Sequence, residues 1–235
     1  MDVKELTLRR YKKLNVKHGI TIEKDKAFKI CPEQALEVMR VVDIYKDRED
    51  VDLLLPNMYL AYKGMFVGYG MEYLSDYVSV GDALMTDVVF DRINVVKKVL
   101  NVVFDLLDHG VNYIDMHVYN VLIKGDDVKV IDISDVSLEE GDVISYGLVD
   151  FIFNTLYGDN IRFFRLRTLI EDDRFTKYFT YEFMEYVRLV IEYKREVDAR
   201  KILSYLPELE DEEKNKNIRK IVKKIDDESN RKYGV

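Results

Sequence analysis

The stretch Tyr113-Ile114-Asp115-Met116-His117-Val118-Tyr119-Asn120, continuing from Val121 to Asp135, constrains this chain more than any other. Asp115 and Asn120 stand among apolar anchors. Val121-Leu122-Ile123 reads as a short buried strand, Gly125-Asp126-Asp127 supplies turn chemistry, and Val128 to Ile131 reads as the returning strand. A hairpin over 121–135 therefore delivers Asp132 directly after its apolar run. A loop carboxylate, a loop amide and a strand-end carboxylate brought together in this way are oxygen ligands plus a proton acceptor. Such hard donors suit Mg²⁺, which keeps several waters and is commonly shared with substrate phosphates. Taken alone, the stretch also fits an ordinary acidic hairpin.

The rest of the composition narrows the class. A length of 235 residues with 48% hydrophobic content, including 17 Tyr and 11 Phe, suffices for a substantial core in one large domain or two lobes. The formal charge of −8 speaks against a general nucleic-acid binder, because such affinity comes largely from Lys and Arg neutralising phosphates. The single cysteine, Cys31, excludes an intramolecular disulfide and suits a reducing compartment. The first ten residues carry no signal-like apolar core, and no apolar run approaches the roughly 20 residues that span a bilayer. The expectation is a cytoplasmic protein with no membrane span. Export into another cell by a dedicated machine would leave no readable trace.

The Asp115…Asn120…Asp132 constellation resembles the protein-kinase-like superfamily, in which an Asp-x-x-x-x-Asn loop precedes a hairpin and a metal-binding Asp. The resemblance implies ATP and Mg²⁺ as cofactors, Asp115 accepting the substrate hydroxyl proton, and Asn120 and Asp132 holding the metal. It also implies an α+β, bilobal fold, with a small antiparallel-sheet N-lobe over 1–72 and a mainly helical C-lobe over 73–235 containing the catalytic loop 113–123. Three departures stand out. Tyr113 replaces the His of His-Arg-Asp, Asp132-Ile133-Ser134 replaces Asp-Phe-Gly, and His117 occupies the usual Lys position. A His two residues after the catalytic Asp looks more like the small-molecule phosphotransferases related to aminoglycoside kinases. His117 is thus a second catalytic candidate, placed to contact the transferred phosphate.

Other matches follow in chain order. Alternating apolar residues in 1–30, with turns at His18-Gly19 and Lys24-Asp25, predict a small antiparallel sheet. Lys29, in Ala-Phe-Lys-Ile, matches the strand lysine that meets the α- and β-phosphates. No Gly-rich loop precedes it, Gly19 being the only glycine before Gly64. Pro32 opens a helix whose apolar positions are Ala35, Leu36, Met39, Val41 and Val42. Its Glu37 matches the glutamate that pairs with the strand lysine, with Glu33 as competitor. Residues 53–60 and 65–71 read as strands around Lys63-Gly64. Their end resembles the kinase hinge, with Met71 as gatekeeper, and Glu72 C=O and Leu74 N–H facing the adenine edge.

The spacing over Asp91–Leu107 predicts a deeply buried helix. His109 follows it as a surface residue favoured by the helix dipole. Asp142-Val143-Ile144-Ser145-Tyr146-Gly147 resembles the kinase helix whose Asp holds the catalytic loop from below. The short interval after Asp132 leaves no room for a long activation segment. Acceptor recognition then falls to later helices or to an activating protein partner. Aromatics in 161–206, among them Phe163-Phe164 and Tyr178-Phe179, read as core. Pro207 precedes a charged terminal helix at about 208–228, striped by Ile218, Ile221, Val222 and Ile225 and expected to dock on the helical region. The reading is a phosphotransferase acting on a protein Ser or Thr. The alternatives are a kinase of small-molecule alcohols and a pseudokinase or binding module.

Overall fold

The computed structural model describes residues 1–15, 20–48, 51–86, 88–138, 145–161, 165–193 and 197–233. The chain starts with β1 (Asp2–Glu5), α1 (Leu8–Leu14), β2 (Ile20–Glu23) and β3 (Lys26–Ile30). A 3₁₀ turn at Pro32–Gln34 leads into α2 (Ala35–Tyr45), followed by β4 (Met58–Tyr62) and β5 (Met65–Glu72). These strands form one sheet in the order β1-β4-β5-β3-β2. Lys63 and Gly64 both adopt positive φ, 54° and 74°, the twist that a tight β4–β5 hairpin needs.

Two features depart from the expected antiparallel sheet. β1 runs parallel to β4 at the sheet edge. Residues 8–14, expected to contribute to strands, form a helix, because the Thr7 side chain accepts from Arg10 N–H at 3.3 Å and caps its start. That helix sets Leu14 and Tyr11 against the outer face of the sheet. Leu6, Leu14, Phe28, Leu60 and Val67 are buried together there, and Tyr11 stacks on Tyr62 at 4.9 Å. The turn expected at His18-Gly19 lies outside the described residues.

On the other face α2 buries Val38, Val41, Val42 and Tyr45. Leu36 and Met39, expected on its apolar stripe, are exposed. The stripe is rotated because Tyr45 anchors the helix end, its hydroxyl bonding Asp105. The strand read from Leu53 begins only at Met58. Leu53 instead bridges to Val130, with Leu54 N–H donating to Val130 O at 2.8 Å and Val130 N–H to Asp52 O at 2.7 Å. This crossing joins the sheet region to the central hairpin.

The mainly helical remainder continues with β6 (Val78–Ser79), α3 (Val80–Leu84) and α4 (Arg92–Asp108), then β7 (Asn112–Tyr113), β8 (Val121–Lys124), β9 (Asp127–Val130) and β10 (Val136–Ser137). Asp91 caps α4 by accepting from Asn94 N–H at 2.9 Å, and Val95, Val96, Val99, Leu100, Val103 and Leu106 sink into the core. The last helices are α5 (Ser145–Tyr157), α6 (Leu166–Ile170), α7 (Asp173–Thr176), α8 (Tyr181–Tyr193), α9 (Leu206–Leu209) and α10 (Glu212–Tyr233). α5 carries apolar side chains on almost every face and packs against α4, α8 and α10. Phe153, Phe175, Phe179 and Phe183 form one aromatic cluster around it, with neighbouring rings 5.1 to 5.9 Å apart. Phe163 and Phe164 lie outside the described residues. Ile218, Val222 and Ile225 of α10 are buried, and the helix packs on α5 and α7. It begins at Glu212 because Pro207 starts a separate one-turn helix, α9. Among the described residues, no helix is long and apolar enough to cross a membrane.

Candidate active site

The hairpin β8–β9 is built by alternation. Val121, Ile123, Val128 and Val130 point into the core, and Gly125 turns the chain at φ 58°. After β9, Ile131 N–H donates to Asn120 O at 2.9 Å, and Tyr113, fully buried, donates its hydroxyl to Ile131 O. Asp132 then adopts φ 67°, a left-handed conformation that aspartate tolerates better than most residues. The kink turns its carboxylate toward β3.

Lys29 meets it there. Its Nζ lies 2.6 Å from both Asp132 oxygens and 3.0 Å from Asp135 Oδ2. Ser134 Oγ donates to Asp132 Oδ1 at 2.8 Å and lies 3.2 Å from Asp135 Oδ2. Tyr69, the cross-strand neighbour of Lys29, donates to Asp132 Oδ1 at 3.4 Å. Burial pulls the Lys29 pKa down, but the charges and hydrogen bonds of Asp132 and Asp135 outweigh it and leave the amine above its ordinary value. Burial, reinforced by the Asp132 charge, pushes the Tyr69 and Tyr113 hydroxyls up. The nearby Cys31 thiol is pushed up to about 12, again by burial, so this cysteine packs and does not react.

Lys29 pairs with neither Glu37 nor Glu33. An ammonium has three N–H donors, and the two hairpin carboxylates take them. Glu37 Oε2 is buried without a hydrogen-bond partner. Glu33 and Glu37 line an open cleft of about 650 Å³ shared with Asp115, Ser134 and Asp135.

Asp115 sits across that cleft. Ile114 N–H and Asp115 N–H donate to Asp135 O at 3.1 and 3.4 Å, so the loop is stitched to the segment carrying Asp132. Asn120, nearly buried, donates Nδ2 to Asp115 O at 2.9 Å and to Asp115 Oδ2 at 3.3 Å. His117 places Nε2 3.2 Å from the same Oδ2, while its Nδ1 accepts Tyr119 N–H at 3.2 Å. The Asp115 carboxylate is half exposed and held from two sides.

A second cleft, about 300 Å³, opens between the sheet and the hairpin. Ile22 and Ala27 line one side, Leu122 and Ile131 the other, and Met71 is nearby. Tyr73 N–H donates to Asp25 O at 2.8 Å. β5 ends at Glu72 and the chain turns, with Tyr77 N–H donating to Leu74 O at 3.1 Å, and both Glu72 and Leu74 line the cleft. The arrangement offers a largely apolar slot beside the end of β5.

Asp132 and Asn120 carry hard oxygens of the kind Mg²⁺ takes, with Asp135 adjacent, and both Asp132 oxygens are paired with Lys29. No group of three or more His, Cys, Asp or Glu side chains forms a metal cage among the described residues. Asp142 lies outside the described residues. His109 caps the end of α4 with Nδ1 2.7 Å from Asp105 O. The sequence reading passed over Asp135, Ser134 and Tyr69. The spacing Asp132-Ile133-Ser134-Asp135 was the one signal available for the first two.

No family model matches the chain, and no curated protein matches it. Solved structures do match, among them the crystal structure of the BubR1 kinase domain. It is 14% identical, with a TM-score of 0.47 over 86% of this chain and 75% of that one.

Proposed function

We propose that this chain is an ATP- and Mg²⁺-dependent phosphotransferase with a bilobal, protein-kinase-like fold, acting on a Ser or Thr hydroxyl of a protein. One observation carries the reading: Lys29 and Asp132, 103 residues apart, meet in a partly buried contact. Main-chain hydrogen bonds join that contact to the loop of Asp115. The apolar cleft lined by Ala27, Met71 and Leu122 would take the adenine, with Glu72 and Leu74 offering main-chain groups to its edge. Lys29 would neutralise phosphate charge. Asp132 and Asn120 would hold Mg²⁺, which when bound offsets charge on the phosphates. Asp115 would accept the proton of the attacking hydroxyl at Oδ1, with Oδ2 held in place by Asn120 and His117. Chemistry of this kind asks mostly for positioning and charge stabilisation.

A second reading, transfer to a small-molecule alcohol, is favoured by one detail. His117 Nε2 sits on the Asp115 carboxylate, in the position where protein kinases usually carry lysine. The deciding experiment measures the thermal midpoint with ATP, with and without Mg²⁺. It also follows labelled phosphate into extract proteins and into small alcohols, with Asp115→Ala as control. Binding to the folded state must raise the midpoint. Mg²⁺-dependent labelling of protein, lost in Asp115→Ala, is the expected outcome. Labelling of alcohols alone would favour the second reading. A midpoint indifferent to Mg-ATP, with no transfer, would leave a binding module.

A further inference from the structure

We propose that Asp135, and not a glutamate of α2, is the second carboxylate that positions Lys29 beside Asp132, and that it links this amine to the loop carrying Asp115. The inference rests on the phosphotransferase reading. Asp135 uses both ends. Its side chain takes Lys29 Nζ at 3.0 Å, and its carbonyl receives the N–H groups of Ile114 and Asp115. Ser134 Oγ, buried between Asp132 and Asp135, contacts both carboxylates and fixes their spacing.

The alternative partner is present but disengaged, since Glu37 Oε2 is buried on α2 with no hydrogen bond. Charge accounting points the same way. Both Asp132 oxygens lie 2.6 Å from Lys29 Nζ, so a cation held by Asp132 would have to share that carboxylate with the ammonium. Asp135 gives the amine a second carboxylate. It also stands three residues from Asp132 in one turn, so its reach to Lys29 does not depend on how α2 sits against the sheet. Lys29 is thereby placed by the same segment that places Asp115.

The test uses the full chain and the variants Asp135→Asn, Asp135→Glu and Glu37→Gln. In the nucleotide-free protein, brief acetylation of lysine amines is read peptide by peptide, with exposed Lys24 as reference. Separately, calorimetry gives the Mg-ATP dissociation constant. Asp135→Asn is expected to raise Lys29 acetylation about threefold relative to Lys24 and to weaken Mg-ATP binding about tenfold. Asp135→Glu should recover much of both, and Glu37→Gln should change neither by more than about twofold. The reverse pattern, with Glu37→Gln releasing Lys29 and Asp135→Asn silent, overturns the proposal. A parent protein that shows the acetylation pattern but binds no Mg-ATP defeats the phosphotransferase reading and the positioning role with it, while the ion pair stands.

Discussion

Lys29 Nζ lies 2.6 Å from both carboxylate oxygens of Asp132, bringing the third strand of the sheet onto the turn that ends the central hairpin. Replacing Lys29 by Met keeps most of the apolar stem and removes the charge. Asp132 and Asp135 then face each other across Ser134 Oγ with no cation between them. The contact is partly buried, so the expected loss is about 1–2 kcal/mol, between the values for exposed and for fully buried pairs. Millimolar Mg²⁺ should restore more of the melting temperature of Lys29→Met than it adds to the parent. Equal Mg²⁺ responses would show that the two carboxylates do not share a cation site.

Tyr113 donates its hydroxyl to the carbonyl of Ile131, the residue just before Asp132, and both side chains are buried. Tyr113→Phe keeps the ring and leaves that carbonyl without its donor. A lost buried hydrogen bond of this type is expected to cost about 1–2 kcal/mol in urea denaturation. The carbonyl fixes the backbone entering the left-handed Asp132, so the Mg-ATP stabilisation expected of the proposed phosphotransferase should shrink too. A variant as stable as the parent would mean that the polar anchor at this position is dispensable.

The hairpin and α4 were legible because their signals are local. An apolar run at Val121–Ile123, a Gly-Asp-Asp turn and the 3.6-residue stripe over Asp91–Leu107 need no distant partner to be read. α1 was not, because seven mostly charged residues carry little periodicity and only Thr7 announces the helix. The rotated face of α2 depends on Tyr45 reaching Asp105, which no spacing within the helix reveals. The site divides in the same way. Asp115, Asn120 and Asp132 share one stretch and could be read together. The contact of Lys29 with Asp135 spans 106 residues and depends on the register that sets β3 beside β5, so the sequence offered an α2 glutamate in its place.

Gly68 lies where β5 passes β3, opposite Ile30, and a Cβ built there would fall 2.0 Å from the Lys29 carbonyl oxygen and 2.9 Å from Ile30 Cα. Both obstacles are backbone, so Gly68→Ala can be accommodated only by displacing β3 at the residue that carries the amine. A loss above about 2 kcal/mol is expected, together with weaker Mg-ATP binding. Gly64→Ala is the control. Its φ of 74° is strained for alanine, but nothing lies within 4 Å, so about 1 kcal/mol and unchanged nucleotide affinity are expected. Parity between the two variants in urea midpoints would contradict the close approach.

Asp150, on α5, has its carboxyl pushed up to about 6 from 3.8 by burial. The folded protein therefore holds a proton that the unfolded chain releases between those two values. Over that window the unfolded state binds fewer protons, so the contribution of this group to stability falls as pH rises, and above about 6 the full penalty is in place. Asp150→Asn keeps the shape of the neutral acid and removes the titration. The variant should match the parent below pH 4, gain on it through the window, and exceed it at pH 7 by on the order of 3 kcal/mol. The measurement is urea denaturation of both proteins at a series of pH values, taking the difference at each so that other titrating groups cancel. A constant difference across the series would show that Asp150 does not titrate between the two states, and a difference that shrinks toward pH 7 would give the carboxylate a favourable partner in the fold.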